Sequence, residues 1–290
     1  MRASRVLVVG EALIDIVDGE EIVGGSPANV ALGLGRLGVG VDLLTAIGAD
    51  DRGDRIIDHL GRSGVTVLPE SRSLERTSTA RATIGPDGSA TYDFDIEWRV
   101  PVTAADEHDI VHVGSIACFL EPGADAVVTL ARRAAARGAT VTFDPNIRPD
   151  LLGGTDALHR VEELAKVASV VKLSDEDAAH LYPGLSVDAV VDRLLALGPR
   201  IVAVTEGGAG AVIASADGRV RVAAPKVTVV DTVGAGDTFM ASLVASLPAL
   251  PDGPLRAAEL EPVLRRCVAA AAVTVSRAGA DLPWRDEVVG

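Results

Sequence analysis

Cysteine is scarce in this 290-residue chain: Cys118 and Cys267 stand far apart and belong to no Cys-x-x-Cys pair. That argues against a disulfide framework or a zinc ribbon, and both residues read as buried thiols in a reducing compartment. Positive charge is also short, with 27 Lys and Arg against 41 Asp and Glu, a formal net charge of −14. Nucleic acid or an anionic membrane would be repelled by such a surface, so neither is an expected partner, and any anionic ligand must be held locally. No apolar run approaches the ~20 residues of a membrane span. Met1-Arg-Ala-Ser-Arg5 leads directly into Val6-Leu-Val-Val-Gly10, which has strand length and lacks a signal h-region and its cleavage site. The expectation is a cytoplasmic protein. The five histidines show no metal spacing such as His-Glu-x-x-His. No linker, low-complexity tract or internal repeat divides the chain, and 48% hydrophobic content can fill one sizeable core across residues 1–290.

What is present alternates. From Asp109 onward, β-branched runs (Ile110–Gly114, Thr140–Asp144, Val170–Leu173, Ile201–Thr205 and Ala211–Ser215) are separated by helical patterns near Asp125–Arg137 and Asp156–Lys166. This order predicts an α/β fold, a mainly parallel central sheet with helices on both faces and ligands at the carboxyl ends of strands. Upstream, Arg5–Val17 reads as one buried strand running on past Gly10 and ending near Asp15 and Asp18. Val41–Gly48 reads as another strand, followed by a helix from Asp50 to about Ser63. Thr77–Phe94 alternates on either side of Gly-Pro-Asp-Gly and predicts a hairpin. With the segment near 15–24, residues 77–100 could form a small sheet outside the main layers.

The strongest local signal is Asp231-Thr-Val-Gly-Ala-Gly-Asp237. The alternating run Arg219–Val230 precedes it and predicts a strand; Thr238–Leu247, apolar at helical spacing and free of Gly and Pro, follows it and predicts a helix. Gly234, Ala235 and Gly236 would let backbone amides approach a phosphate at that helix's positive end. Asp237 in such an anion hole would repel the phosphate unless it takes a proton from an attacking hydroxyl. On its own, the same stretch could be a tight turn with Asp237 as a helix cap.

The whole heptad resembles the C-terminal signature of the ribokinase or PfkB family of sugar kinases. The resemblance implies that Asp237 is the catalytic base and that Gly234, Ala235 and Gly236 bind the transferring phosphate. Gly24-Gly-Ser-Pro-Ala-Asn29 resembles the family's N-terminal signature, in the form closest to fructokinases. It implies sugar contacts from Gly25 and Asn29, with Asp15 hydrogen-bonding sugar hydroxyls, to which a carboxylate is suited as a double acceptor. The hairpin would then be a lid over the sugar and a homodimer contact, with Phe94, Trp98 and Arg99 as candidate substrate contacts. Phe143-Asp-Pro-Asn-Ile-Arg148 resembles Asp-x-Asn-x-Arg and offers Arg148 as positive charge near the phosphoryl group, a surface ion pair with Asp144 or Asp150 being the plainer use.

Lys172-Leu-Ser-Asp-Glu-Asp177 resembles the segment carrying Asn-x-x-Glu, whose Glu organises magnesium through water. Here Ser174 replaces Asn, and the acid is Glu176 or Asp177; Lys172 and Ser174 would face the nucleotide. Thr205-Glu-Gly-Gly-Ala-Gly210 resembles Thr-x-Gly-x-x-Gly and adds Thr205, Gly207 and Gly210 to the nucleotide contacts, which also take in Gly236 of the C-terminal signature. Ala271–Ala280, with the loop at Asp231 and Val233, resembles a potassium site built from backbone carbonyls. The implied activity is ATP- and Mg2+-dependent phosphorylation of a primary hydroxyl, with D-fructose ahead of 2-keto-3-deoxygluconate, ribose or a nucleoside. The rival from another class is a nucleotide-linked oxidoreductase, since Gly33-Leu-Gly-Arg-Leu-Gly38 satisfies Gly-x-Gly-x-x-Gly. That triplet closes a helix where a dinucleotide fingerprint should open one.

Overall fold

The computed structural model describes residues 4–84, 90–100, 107–152 and 154–288. The first half contains strands β1 (Arg5–Val9), β2 (Leu13–Val17) and β3 (Glu20–Gly24), helix α1 (Ser26–Arg36), β4 (Gly40–Leu44) and β5 (Ile47–Gly48). Helix α2 (Asp51–Gly61), β6 (Val65–Val67), β7 (Arg72–Leu74), β8 (Thr79–Ile84) and β9 (Ala90–Asp95) follow. Next come β10 (Ile110–Gly114), α3 (Gly123–Ala136), β11 (Thr140–Asp144), α4 (Ala157–Ala165), β12 (Val170–Ser174), α5 (Asp175–Leu181) and α6 (Val187–Leu197). The chain closes with β13 (Ile201–Thr205), β14 (Ala211–Ala214), β15 (Arg219–Val222), α7 (Ala235–Ser246) and α8 (Ala257–Val275).

Nine strands form one sheet in the order β15-β14-β13-β12-β11-β10-β1-β4-β6. All pairings are parallel except those of β14 with β13 and β15, which are antiparallel. Alternation along β1 divides the core: Leu7 and Val9 face one apolar layer with Val127 of α3, Val161 of α4 and Val191 of α6. Val6 and Val8 face the other, with Leu32 of α1, Phe239 of α7 and Leu264 of α8. Both faces of the sheet are covered, as its nearly continuous apolar strands require. Helix α7 is sandwiched between α1 and α8 and is buried along most of its length, which is why its sequence is apolar almost all round. No helix of the described residues is long and apolar enough to cross a membrane.

A separate four-stranded sheet, β3-β2-β8-β9, joins the segments near 15–24 and 77–100, as expected from sequence. The tip of its hairpin, 85–89, lies outside the described residues.

Three sequence expectations are corrected. Val41–Gly48 is two strands in two sheets, β4 in the main sheet and β5 paired with β7. Arg5–Val17 is two strands in two sheets, because the chain swings at Gly10 (φ 159°), where a Cβ would meet the Pro27 ring at 2.2 Å. Asp15 therefore sits mid-strand in the small sheet and not at the end of a main-sheet strand. The strand expected over 219–230 stops at Val222. Pro225 offers no amide to a ladder, and beyond this edge strand the chain must cross back to reach α7, leaving Val227, Val229 and Val230 exposed. The Gly-x-Gly-x-x-Gly glycines lie inside α1 and at its end, where they serve packing: a Cβ on Gly33 would strike Ala241 and Leu282, and one on Gly35 would strike the Ser63 carbonyl.

Candidate active site

Helix α7 begins at Gly234, whose φ of 78° is left-handed and whose missing Cβ leaves room for Ala280. No side chain among the described residues caps its first turn; Ala235 N donates to the Thr232 carbonyl at 3.3 Å, and the amides of Gly236 and Asp237 are left to an anion. Asp237 lies in that turn, 7% exposed. Its oxygens are both held from α1: Ser26 Oγ donates to Oδ1 at 2.6 Å and Asn29 Nδ2 donates to Oδ2 at 2.8 Å. Burial raises the Asp237 pKa, while the bonds from Ser26 and Asn29 and the charges of Lys172 and Arg148 oppose the rise. The result is a desolvated carboxylate in the first turn of a helix, which suits a proton acceptor.

Beneath it, Lys172 of β12 forms a buried ion pair with Asp144 of β11, Nζ to Oδ2 at 2.8 Å. Burial pushes Asp144 up to about 6 despite the lysine, and Asp177 and Asp237 add repulsion. The same carboxylates hold Lys172 above its usual range against its own desolvation, so the ammonium stays charged. Asp144 Oδ1 is buried and has no hydrogen-bond partner among the described residues, an acceptor left over for a ligand. Asp177 turns inward and is occupied: Ile147 N donates to Oδ1 at 2.9 Å, and Ser174 N and Oγ donate to Oδ2 at 3.0 and 2.8 Å. Glu176 is exposed on the outer side of α5. Of the two acids left open by sequence, Asp177 is the one among the site residues.

Among the sugar candidates, the Asp15 carboxylate lies across Gly24, where a Cβ would meet Oδ2 at 1.9 Å, and makes no hydrogen bond to the described residues. Burial raises its pKa to about 6, partly offset by Arg148. Gly25, at φ 105°, lets the chain approach the Glu11 carbonyl, which a Cβ would meet at 2.5 Å. Glu11, 5% exposed, accepts from Ala117 N at 3.2 Å. Desolvation pushes its carboxyl up to about 7 against the Ser115 hydroxyl and Arg148. Arg148 itself is exposed and donates to Asn146 Oδ1 at 2.9 Å and the Ile147 carbonyl at 3.1 Å, not to Asp144 or Asp150. Its charge reaches Glu11, Asp15 and Asp237 together, which places it at the mouth of the site.

The nucleotide candidates meet at adjacent strand ends, since Ser174 pairs with Thr205 in register. Ser174 is committed to capping α5 through its box with Asp177. Gly207 (φ 49°) faces open space, whereas Gly210 (φ 110°) is needed for packing, a Cβ there meeting the Val222 carbonyl at 2.0 Å. Asp231 accepts from Val233 N at 3.0 Å and Gly279 N at 2.9 Å, and Val230 N donates to the Val275 carbonyl at 2.8 Å. These bonds knit the loop before α7 to the end of α8, and the two to Asp231 lower its pKa.

Of the three lid candidates, the structure moves Trp98 away from a substrate role. Trp98 is 2% exposed, donates Nε1–H to the Ala117 carbonyl at 3.0 Å and packs on Gly123, so it belongs to the core. Arg99 is exposed and pairs with Glu97 at 2.9 Å. Phe94 lies on β9 opposite Ala80 and is half-buried. Ser26 and Glu11, each next to a glycine, carry no sequence signal as site residues, and Asp144, the Asp of Asp-x-Asn-x-Arg, carries none beyond a partner for Arg148.

The family model for "pfkB family carbohydrate kinase" matches residues 4–287. The chain is similar to a fructokinase of Rhizobium leguminosarum bv. trifolii, 35% identical over 260 residues that cover 83% of this chain and 79% of that one. Among solved structures it is similar to a fructokinase of Xylella fastidiosa with bound ATP, TM-score 0.84 at 26% identity, covering 98% of this chain and 96% of that chain. It is also similar to a fructokinase of Vibrio cholerae O395 in a fructose-, ADP- and calcium-bound form, TM-score 0.83 at 25% identity, covering 96% and 94%.

Proposed function

This chain belongs to the pfkB family of carbohydrate kinases, and from that premise we propose that it transfers the γ-phosphoryl group of ATP to a primary hydroxyl of D-fructose. The observation that carries the reading is the buried Asp237 in the uncapped first turn of α7, facing Asn29 of α1. Asp237 accepts the proton of the sugar hydroxyl, the freed oxygen bonds to the γ-phosphorus, and the bond from that phosphorus to ADP breaks. The amides of residues 234 to 236 and the Lys172 charge offset the negative charge that develops, with Arg148 at the mouth. Asp15, Gly25 and Asn29 orient the sugar; Thr205 and Gly207 face the nucleotide.

A neutral sugar is favoured by the charges around the pocket. Among the described residues, the charge of Arg148 acts on Glu11, Asp15 and Asp237, and Lys172, which also acts on Asp237, is already paired with Asp144. The carboxylate of 2-keto-3-deoxygluconate would add a further negative charge there, and an unpaired charge in a closed site is costly. The fructokinase relatives point the same way. The test is kcat/KM at saturating MgATP across fructose, tagatose, 2-keto-3-deoxygluconate, ribose and adenosine. Fructose is expected to lead; a clear preference for the keto-acid or the nucleoside would overturn the assignment.

Magnesium fits the residues present. Asp144 Oδ1 is a buried acceptor without a partner among the described residues. Mg2+ commonly takes one or two carboxylates together with substrate phosphates and water, so Asp144 Oδ1 would supply one ligand, while Asp177, whose oxygens already accept from Ile147 N and from Ser174, would act through water. When bound, it neutralises charge on the phosphates. A potassium ion is proposed at the junction of the Asp231–Val233 loop with residues 275–279, its ligands being backbone carbonyls. Rates in potassium, sodium and choline chlorides at equal ionic strength test it, equality counting against the site. The free, buried cysteines suit the reducing cytoplasm as the place of action. The small sheet is proposed as a homodimer contact, its outer strand β3 exposing Ile22.

A further inference from the structure

We infer that Ser26 is a positioning residue for phosphoryl transfer: its hydroxyl holds Asp237 Oδ1, fixing the orientation in which the carboxylate meets the sugar hydroxyl. The inference rests on the kinase reading of Asp237. Ser26 occupies the unspecified position of Gly-Gly-x-Pro-Ala-Asn, so the signature gives it no task. A serine at the start of a helix ordinarily caps it. Here Gly25 is the N-cap, no side chain caps α1, and the Ser26 hydroxyl instead donates to Asp237 at 2.6 Å. Asn29, three residues on along the same face, donates to Oδ2 at 2.8 Å. The two donors grip both oxygens of one carboxylate from one rigid helix turn. Each oxygen keeps lone-pair capacity, so the sugar hydroxyl can bond to a base whose rotamer is already set.

The other groups that act on Asp237 are Lys172 from β12 and Arg148 from the loop after β11, both favouring its ionised form, and Asp144 from β11, which repels it. From α8 the neighbour is uncharged, Thr274 bonding to Thr238. Among the hydrogen bonds that favour the carboxylate, that from Ser26 is the largest. Its loss has a signature that a packing defect lacks.

The experiment compares pH–rate profiles for the sugar reaction between wild type, Ser26→Ala and Ser26→Thr at saturating MgATP. For Ser26→Ala the acid limb of kcat is expected to move up by roughly one pH unit, the scale of one lost hydrogen bond to a charged group. On that limb the rate then falls about tenfold, whereas the plateau falls by less than about threefold and sugar KM stays within about twofold. Ser26→Thr, which keeps the hydroxyl, restores the limb. An unmoved limb, or a uniform loss at every pH, overturns the inference. Should Ser26→Ala fail to fold, Ser26→Cys, with its weak donor, is expected to shift the limb in the same direction, and an unmoved limb there is equally fatal. A wild type inactive on every sugar would instead remove the kinase reading, and the role of Ser26 with it.

Discussion

Lys172 Nζ stands 3.1 Å from the point that a Cβ on Gly236 would occupy, so the ammonium lies directly against the first turn of α7. A glycine inside a helix is a poor helix former, and here it leaves room for a charged neighbour against the backbone. Gly236→Ala is therefore expected to leave thermal stability unchanged or slightly raised while lowering kcat by roughly 10-fold or more, because the methyl displaces Lys172. Melting curves and steady-state rates measured on the same preparation check the split; full activity would mean that Lys172 does not serve the phosphate.

Asp237→Asn keeps one acceptor, for Asn29 Nδ2, and turns its own amide N–H towards the Ser26 hydroxyl, which can accept, yet it cannot take a proton. It is expected to lower kcat by about 10²–10⁴-fold with sugar and ATP affinities near normal. Binding measured by calorimetry alongside turnover checks this, and near-wild-type turnover would remove Asp237 from the chemistry.

Glu11 predicts a pH dependence of stability. Its folded-state pKa is raised from 4.5 to about 7 by burial, so between those values the folded protein binds more protons than the unfolded chain. Its contribution is fully present below 4.5 and is lost as pH rises through about 7. His112, held neutral by burial with a pKa lowered to about 3, slopes the opposite way between 3 and 6.5, so the informative quantity is the difference from a variant. Glu11→Gln keeps an acceptor for Ala117 N and is expected to gain stability over wild type as pH rises, by at most on the order of 1 kcal/mol per pH unit. Denaturant melts at several pH values check it; parallel curves would mean that Glu11 is solvated.

Trp98→Phe separates a core role from a substrate role. Losing the Nε1 donor leaves the Ala117 carbonyl short of a partner, at an expected cost of about 1–2 kcal/mol in stability with sugar KM within about twofold. A large rise in KM without loss of stability would put Trp98 back at the sugar.

Where the chemistry depends on consecutive residues, it could be read directly. The turn Gly234-Ala-Gly-Asp237 opens a helix because small residues, a left-handed glycine and an apolar run are all local properties. The parallel sheet was legible for a similar reason, since strands buried on both faces must be apolar throughout. The failures are where tertiary context decided. Nothing local says that Arg5–Val17 breaks at Gly10, because the cause is the Pro27 ring packing there from α1. Nor does β-branched alternation over 219–230 reveal that the sheet has no further partner beyond β15. Trp98 reads alike on a lid or in a core until Gly123 of α3 is seen to make room for it. The ion pair of Lys172 with Asp144, and the grip of Ser26 and Asn29 on Asp237, join residues from different elements. Sequence could supply each of those side chains, but which carboxylate would be buried beside which donor followed only from the packing of α1 against α7 and of β11 beside β12.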